Sequence, residues 1–433
     1  MTRRNSRWPG FYKLSVEDRR RVAAEALGMS VAELIAAVGD GGLGCERADK
    51  IIENVVGTFS LPFALALNVQ VNGEDFIAPM VVEEPSVVAA ASNAARMVRE
   101  GGGFVAEADQ PIMIGQVQLD EVPDTQHACQ RIKQCATELV ALGNAAVRGL
   151  VARGGGVRGI EARDLGEGML VVHLHVDCRD AMGANLVNTV AEAVADRIQE
   201  LAGGRMGLRI LSNLCDRRKV RVTCTVPSYA LASSEFDGDE VREGIVRASR
   251  FAERDPYRAT THNKGLMNGL DAVVIATGND WRAVEAGAHA FAARNGSYSP
   301  LCIWRSDGDD LVGSLEIPLS LGTVGGPSRV HDGARMGLRV VNPSSATELA
   351  MVAASVGMAS NLAALRALAT EGIQRGHMAL HARSVAIAAG AIGADVERVA
   401  QHIHALGDVT LETARITLLE LSRNVSSAPP PSE

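Results

Sequence analysis

The chain has 433 residues, 47% hydrophobic and 22% charged, with a net charge of −8. That length calls for two or three domains, and an aromatic share of 3% leaves Ala, Val, Leu, Ile and Met to build the cores. The negative balance excludes nonspecific nucleic-acid binding, which needs a basic face, but leaves room for a local basic pocket around a phosphorylated ligand.

In chain order, residues 16–38 read as helices, with Ser15 as N-cap and Glu17 and Asp18 in the first turn. "NVQVNGEDFIAPM" reads as a hairpin turning at Asn72-Gly73. After "VVEEPS" comes a small-residue helix, with Pro85 expected at its first position and Gly101 to Gly103 ending it. "PIMIGQVQLDEV" is a predicted strand, and 126–152 a predicted helix closed by Gly154, Gly155 and Gly156. "GMLVVHLHVDCRD" is a strand, "GANLVNTVAEAVADRIQELAGG" a helix, and "GLRILSNL" and "RKVRVTCTVP" are strands. This β-α-β-α-β order suggests a compact α+β insert. From 236 the pattern is helical again. A strand pair is expected over 308–319, then a long helical region from "SSATELAMVAASV", then helices around 377–390, 394–406 and 409–423, and a solvated tail. No window of about 18 unbroken apolar residues predicts a membrane span. The N-terminus lacks the apolar stretch of a signal peptide. The seven scattered cysteines, with no CxxC pair, fit a reducing cytoplasm and no zinc site.

Four places carry chemistry-bearing residues. In "VDCRDAMGANLVNTVAEA" a strand runs through Asp180, Ala181, Met182, Gly183, Ala184 and Asn185 into a helix whose first amides could hold a pyrophosphate. The plainer alternative is a strand-to-helix turn capped by Asp180. No G-x-G-x-x-G follows a strand, so a Rossmann fingerprint is absent. In "VVEEPS" a partly desolvated carboxylate could act as a general acid, or simply favour the helix dipole. His377 and His381 share a helix face without a third ligand, which suits a proton donor better than a metal and an ordinary capping or surface histidine better still. Lys264 is one of only five lysines in the chain. It could form a Schiff base, or stay charged beside an aspartate, Asp271 or Asp280, and stabilise an oxyanion. The glycine after it, Gly265, suggests a tight turn.

Together, "ENVVGTFSLP" (53–62), "VVEEPSVVAAAS" (81–92), "DAMGANLVNT" (180–189), "DPYRATTHNKGLMNGLDAVVIATGNDWRAVEAGAHA" (255–290), "GTVGG" (322–326) and "ATEGIQRGHMALHAR" (369–383) resemble the class II, bacterial branch of the 3-hydroxy-3-methylglutaryl-CoA (HMG-CoA) reductases, from about residue 5 to 425. The resemblance implies a cytoplasmic enzyme that reduces HMG-CoA to mevalonate and CoA with two NAD(P)H, or runs the reverse oxidation. It makes Glu84 the proton donor, Lys264 the oxyanion stabiliser, Asp280 a residue coupled to both, and His377 the group that protonates the departing thiolate. Asp271 becomes structural. Ser86, Arg258 and Asn268 fall where the family grips the hydroxymethylglutaryl part.

The resemblance also implies an α+β fold: a large mixed α/β domain around a central helix (1–110 and 219–373), an inserted ferredoxin-like, non-Rossmann nucleotide domain (111–218), and a helical C-terminal flap (374–433). The active unit would be a homodimer, with "ENVVG" at the interface. Tyr12 or Lys13 would lie near the CoA nucleotide. Nucleotide contacts would come from Asp180, Met182, Gly183, Ala184 and Asn185. The stretch before the triple glycine offers Arg148 and no acid, which leans towards NADPH over NADH, since an arginine welcomes a 2′-phosphate. The rival reading is a CoA-dependent lyase or Schiff-base aldolase using Lys264. No metal and no membrane partner are expected.

Overall fold

A computed structural model describes residues 5–39, 41–370 and 372–426; the side chains of 327–328, 373–380 and 422–426 lie outside the description. The fold is mixed α/β with two sheets. Strands β1 (Phe63–Val71), β2 (Glu74–Val81), β3 (Phe104–Ala108), β4 (Ile112–Asp120), β5 (Gly156–Gly166), β6 (Met169–Asp177), β7 (Arg205–Ser212), β8 (Lys219–Pro227), β9 (Cys302–Asp307) and β10 (Asp310–Pro318) occur in that order. Six form a sheet ordered β2-β1-β3-β8-β10-β9, and four form a second sheet ordered β5-β6-β4-β7.

The first sheet starts from the expected hairpin. Asn72 and Gly73 both take positive φ, 51° and 80°, as a two-residue turn that follows the strand twist requires. The Asn72 side chain also donates to Ala106 O and accepts from Ala106 N, both at 2.9 Å, which ties the turn to β3. Helix Ala346–Ala369 crosses this sheet and helix Pro256–Ala276 as the core element. It has the length and hydropathy of a membrane span, but 78% of the apolar window is buried inside the protein. Small residues let the two helices approach closely: a Cβ added at Gly269 would lie 2.7 Å from Val356 O.

The second sheet belongs to a β-α-β-β-α-β segment. The chain leaves the first sheet after β3 and returns on β8, its antiparallel neighbour; Asp109 N donates to Lys219 O at 2.8 Å at the junction. The segment has its own apolar core, from Met113 to Cys215, separate from the core formed by the chain on either side. A third cluster, including Ala382, Ala386, Val399 and Ile403, holds the last three helices together.

Three local expectations need correction. The insert has one more strand than the sequence reading gave, because β5 is polar along most of its exposed positions. The single helix over 126–152 is three: Thr125–Gln134, Ala136–Ala146 and Arg148–Val151. Pro85 is not the first residue of its helix, which runs Val87–Glu100 with Ser86 as N-cap.

Candidate active site

Helix Pro256–Ala276 starts where Asp255 accepts hydrogen bonds from the amides of Tyr257 and Arg258 and Pro256 presets the first turn. This places Lys264 in mid-helix, so Gly265 makes no turn; it packs with ordinary spacing against Ala364. Lys264 Nζ lies 2.6 Å from Glu84 Oε2, and Asn268, one turn further on, donates to the same oxygen at 3.3 Å. Glu84 comes from the stretch between β2 and helix Val87–Glu100. The pair is open to solvent, with the Lys264 side chain 60% and that of Glu84 35% exposed. The accessible ammonium can offset negative charge on a neighbouring oxygen, and the carboxyl group beside it, when protonated, can give a proton.

Ser86 holds a left-handed backbone, φ 74°, at the start of helix Val87–Glu100 and does not cap it. Its Oγ is buried without a hydrogen-bond partner among the described residues. A left-handed backbone and a hydroxyl without a partner among the described residues leave a donor that can meet a ligand oxygen. Arg258 is half-buried, and burial pulls its guanidinium down from the ordinary range; no carboxylate among the described residues bonds it. Such a group is poised for an external carboxylate.

Asp280 is placed differently from the expectation. Its Oδ1 accepts from Ala283 N at 3.1 Å and caps helix Trp281–Ala292, with Arg282 at 3.9 Å. Among the described residues no hydrogen bond or ion pair joins it to Lys264, because the carboxylate turns towards its own helix start. Asp271, on the Lys264 face two turns along, faces Glu285. Burial first, and then the hydrogen bond to Glu285, push it up to about 9. Glu285 in turn lies 2.5 Å from His289 Nε2, and His289 Nδ1 is 2.7 Å from the Tyr298 hydroxyl.

The loop 180–185 leads from β6 into helix Ala184–Ala202. Gly183 (φ 108°) is the N-cap of helix Ala184–Ala202, which has no side-chain cap, and a Cβ there would come 2.4 Å from Cys178 Sγ. No side chain therefore occupies the first amides of this helix, and a glycine there lets a ligand come close to the backbone. The Asp180 carboxylate does not cap this helix: Oδ1 accepts from Ala346 N at 2.8 Å, at the start of the core helix. Met182 and Ala184 flank Gly183, Asn185 is exposed, and Arg148 is exposed at the start of helix Arg148–Val151. Tyr12 and Lys13 sit in a short 3-10 turn, with Tyr12 76% exposed. The His377 side chain lies outside the described residues; His381 is exposed.

Sequence reading missed two groups here, Arg218 and Asn279, which join the loop 180–182 to the turn before Asp280. Arg218 sits in the charge run "CDRRK", which looks like a solvated surface, and Asn279 carried no signal of its own. It also missed Glu161, His173 and His175, whose ligand atoms lie within 4.8 Å of one another on the four-stranded sheet. Arg217 already pairs with Glu161 at 3.1 Å, and Arg163 and Gln116 contact His173 Nε2 at 3.2 and 2.9 Å.

The family model for hydroxymethylglutaryl-coenzyme A reductase matches residues 15–382. A 3-hydroxy-3-methylglutaryl-coenzyme A reductase of Archaeoglobus fulgidus is 48% identical over 421 residues, 96% of this chain and 95% of that protein. A probable enzyme of the same name from Borreliella burgdorferi is 35% identical over 77% of each chain. The solved reductase of Streptococcus pneumoniae is 42% identical, covers 96% of this chain and 100% of its own, and superposes with a TM-score of 0.81. A structure of the class II enzyme from the same organism bound to NADPH is 43% identical over 84% of this chain and all of its own, with a TM-score of 0.81. The chain belongs to the class II hydroxymethylglutaryl-CoA reductases, a family of NAD(P)H-dependent oxidoreductases.

Proposed function

We propose that the Lys264–Glu84–Asn268 cluster is the reaction centre for the two-stage reduction of HMG-CoA to mevalonate and CoA, or for the reverse oxidation. The observation that carries this is the 2.6 Å contact between Lys264 and Glu84, with Asn268 on the same oxygen. A bound nicotinamide nucleotide supplies the hydride at each stage. Lys264 offsets the negative charge that develops on the carbonyl oxygen of first the thioester and then the aldehyde. Glu84 delivers the proton that turns the final alkoxide into an alcohol. His377 enters by motif match as the donor to the departing thiolate sulfur. Asp280 also enters by motif, since its visible bonds are to its own helix. Ser86, Arg258 and Asn268 grip the hydroxymethylglutaryl portion; a Ser86 hydroxyl and an Arg258 guanidinium that have no hydrogen-bond or carboxylate partner, respectively, among the described residues support this.

The residues of the loop 180–185 fit a dinucleotide. Asp180, Met182, Gly183, Ala184 and Asn185 would hold it, with the uncapped helix start at the pyrophosphate. Arg148 and the NADPH-bound relative favour NADPH over NADH. On this reading 111–218 is a ferredoxin-like, non-Rossmann nucleotide domain, 1–110 with 219–373 the large domain, and 374–433 a flap. The seven free cysteines support a cytoplasmic setting. A homodimer is supported by exposed apolar side chains around "ENVVG": Val56 is 101% and Phe59 92% exposed.

HMG-CoA should drive loss of reduced-nicotinamide absorbance, faster with NADPH than with NADH, and mevalonate plus CoA should reverse it. Borohydride trapping of substrate on Lys264 without nucleotide oxidation would overturn this in favour of a Schiff-base aldolase.

A further inference from the structure

Arg218 is the last residue before β8, and it is only 4% exposed. Its guanidinium donates to Ala181 O and Met182 O, each at 3.2 Å, and to Leu321 O. No carboxylate bonds it among the described residues. Asp177 and Asp180 act on its charge only at longer range, and burial pulls its pKa down. Sequestering a full charge against three carbonyl dipoles is costly, so it stands out where packing alone would accept an apolar residue.

The strip that Arg218 reaches, Leu321–Gly322, is gripped from its other side. Gly322 N donates to Asn279 Oδ1 at 2.7 Å, and Asn279 Nδ2 donates to Gly322 O at 3.1 Å. Asn279 immediately precedes Asp280. The contact is tight: a Cβ on Gly322 would lie 2.6 Å from Met182 N. Asp180 O accepts from Thr323 N at 2.9 Å and Val324 N at 3.3 Å, and Ala181 pairs with Val324 as a parallel bridge. The segment 321–324 is thus wedged between the loop 180–182 and the turn that carries Asp280.

We propose that Arg218 and Asn279 are positioning residues: through the shared strip 321–322 they fix the nucleotide loop against the Asp280 turn, so that the two halves of the site keep one relative placement. The proposal rests on reading 180–185 as the nucleotide loop. Arg is required because its planar fork reaches carbonyls on two separate segments at once, whereas the single ammonium of Lys cannot span them.

The test uses the full chain with Arg218→Lys, Asn279→Ala, their double variant, and Asn185→Ala as a reference for the loop itself. The readouts are the Kd of NADPH by calorimetry without substrate, the KM of HMG-CoA, and the melting temperature. Arg218→Lys should weaken NADPH binding about tenfold while the KM of HMG-CoA stays within about twofold, the size expected when buried donor–acceptor pairs are lost. Asn279→Ala should act in the same direction. The double variant should lose less than the product of the two, because either change alone frees the strip. A folded Arg218→Lys with unchanged NADPH affinity, or fully multiplicative losses, overturns the clasp while Asn185→Ala still weakens NADPH. If Asn185→Ala leaves NADPH binding intact, the nucleotide-loop reading itself falls. If Arg218→Lys does not fold, the partly exposed Asn279 carries the test: Asn279→Ala with unchanged NADPH affinity overturns the clasp, and a selective loss supports it.

Discussion

Lys264 shows why residue type matters at the smallest scale. An ammonium is a compact charge that one carboxylate oxygen can hold while leaving a face free, whereas a guanidinium would pair broadly with Glu84. Lys264→Ala should cut turnover by about a hundredfold or more, the loss typical of a missing oxyanion donor. Because the pair is exposed, it should change stability by less than about 1 kcal/mol. Near-normal rates in a folded variant would remove Lys264 from the mechanism. Asp271 makes a different kind of prediction. Its folded-state pKa is raised, so between the ordinary aspartate value near 4 and its own value of about 9 the folded chain binds the extra proton. Stability from this group is therefore full at low pH and lost as pH rises through that window. Asp271→Asn should flatten the fall in melting temperature between about pH 7 and pH 9. That range lies above the window of the buried His262, which burial pulls down to about 4. An unchanged slope would refute the assignment.

Between elements, close approach decides more than propensity does. Helices Pro256–Ala276 and Ala346–Ala369 cross where Gly269 meets Val356 O. Gly269→Ala should destabilise by about 1–3 kcal/mol as overpacking, read from the urea midpoint. A neutral effect would mean that the crossing is looser than its geometry. Elements with local signatures were legible in the sequence: the Ser15 cap, whose Oγ accepts from Asp18 N at 3.1 Å, the Asn72-Gly73 hairpin, and the strand-loop-helix run around Glu84. Strand β5 was not, since most of its exposed positions are charged and its partner β6 supplies the pairing. Gly265 was misjudged for a related reason: next to a functional residue it suggests a turn, while in the helix it makes room for a neighbour.

At the scale of the molecule, exposed Val56 and Phe59 carry the dimer proposal. Val56→Asp or Phe59→Asp should lower the sedimentation coefficient and make specific activity fall on dilution; a wild-type profile in both would place the subunit contact elsewhere. The sequence by itself determined the family and most of the order of the elements, because these rest on motifs whose residues lie near one another in the chain. Only the tertiary structure decided which partners meet. Glu84 bonds Lys264 across 180 residues, Asp180 caps the helix at Ala346 rather than its own, Asp280 turns to its own helix start, and Arg218 vanishes into the interior to hold the loop 180–182. Apart from the local Asp280 cap, each of those contacts spans segments that the sequence keeps apart. The Asp180 and Arg218 contacts arise where two separately cored parts of the chain meet, and no local pattern encodes that placement.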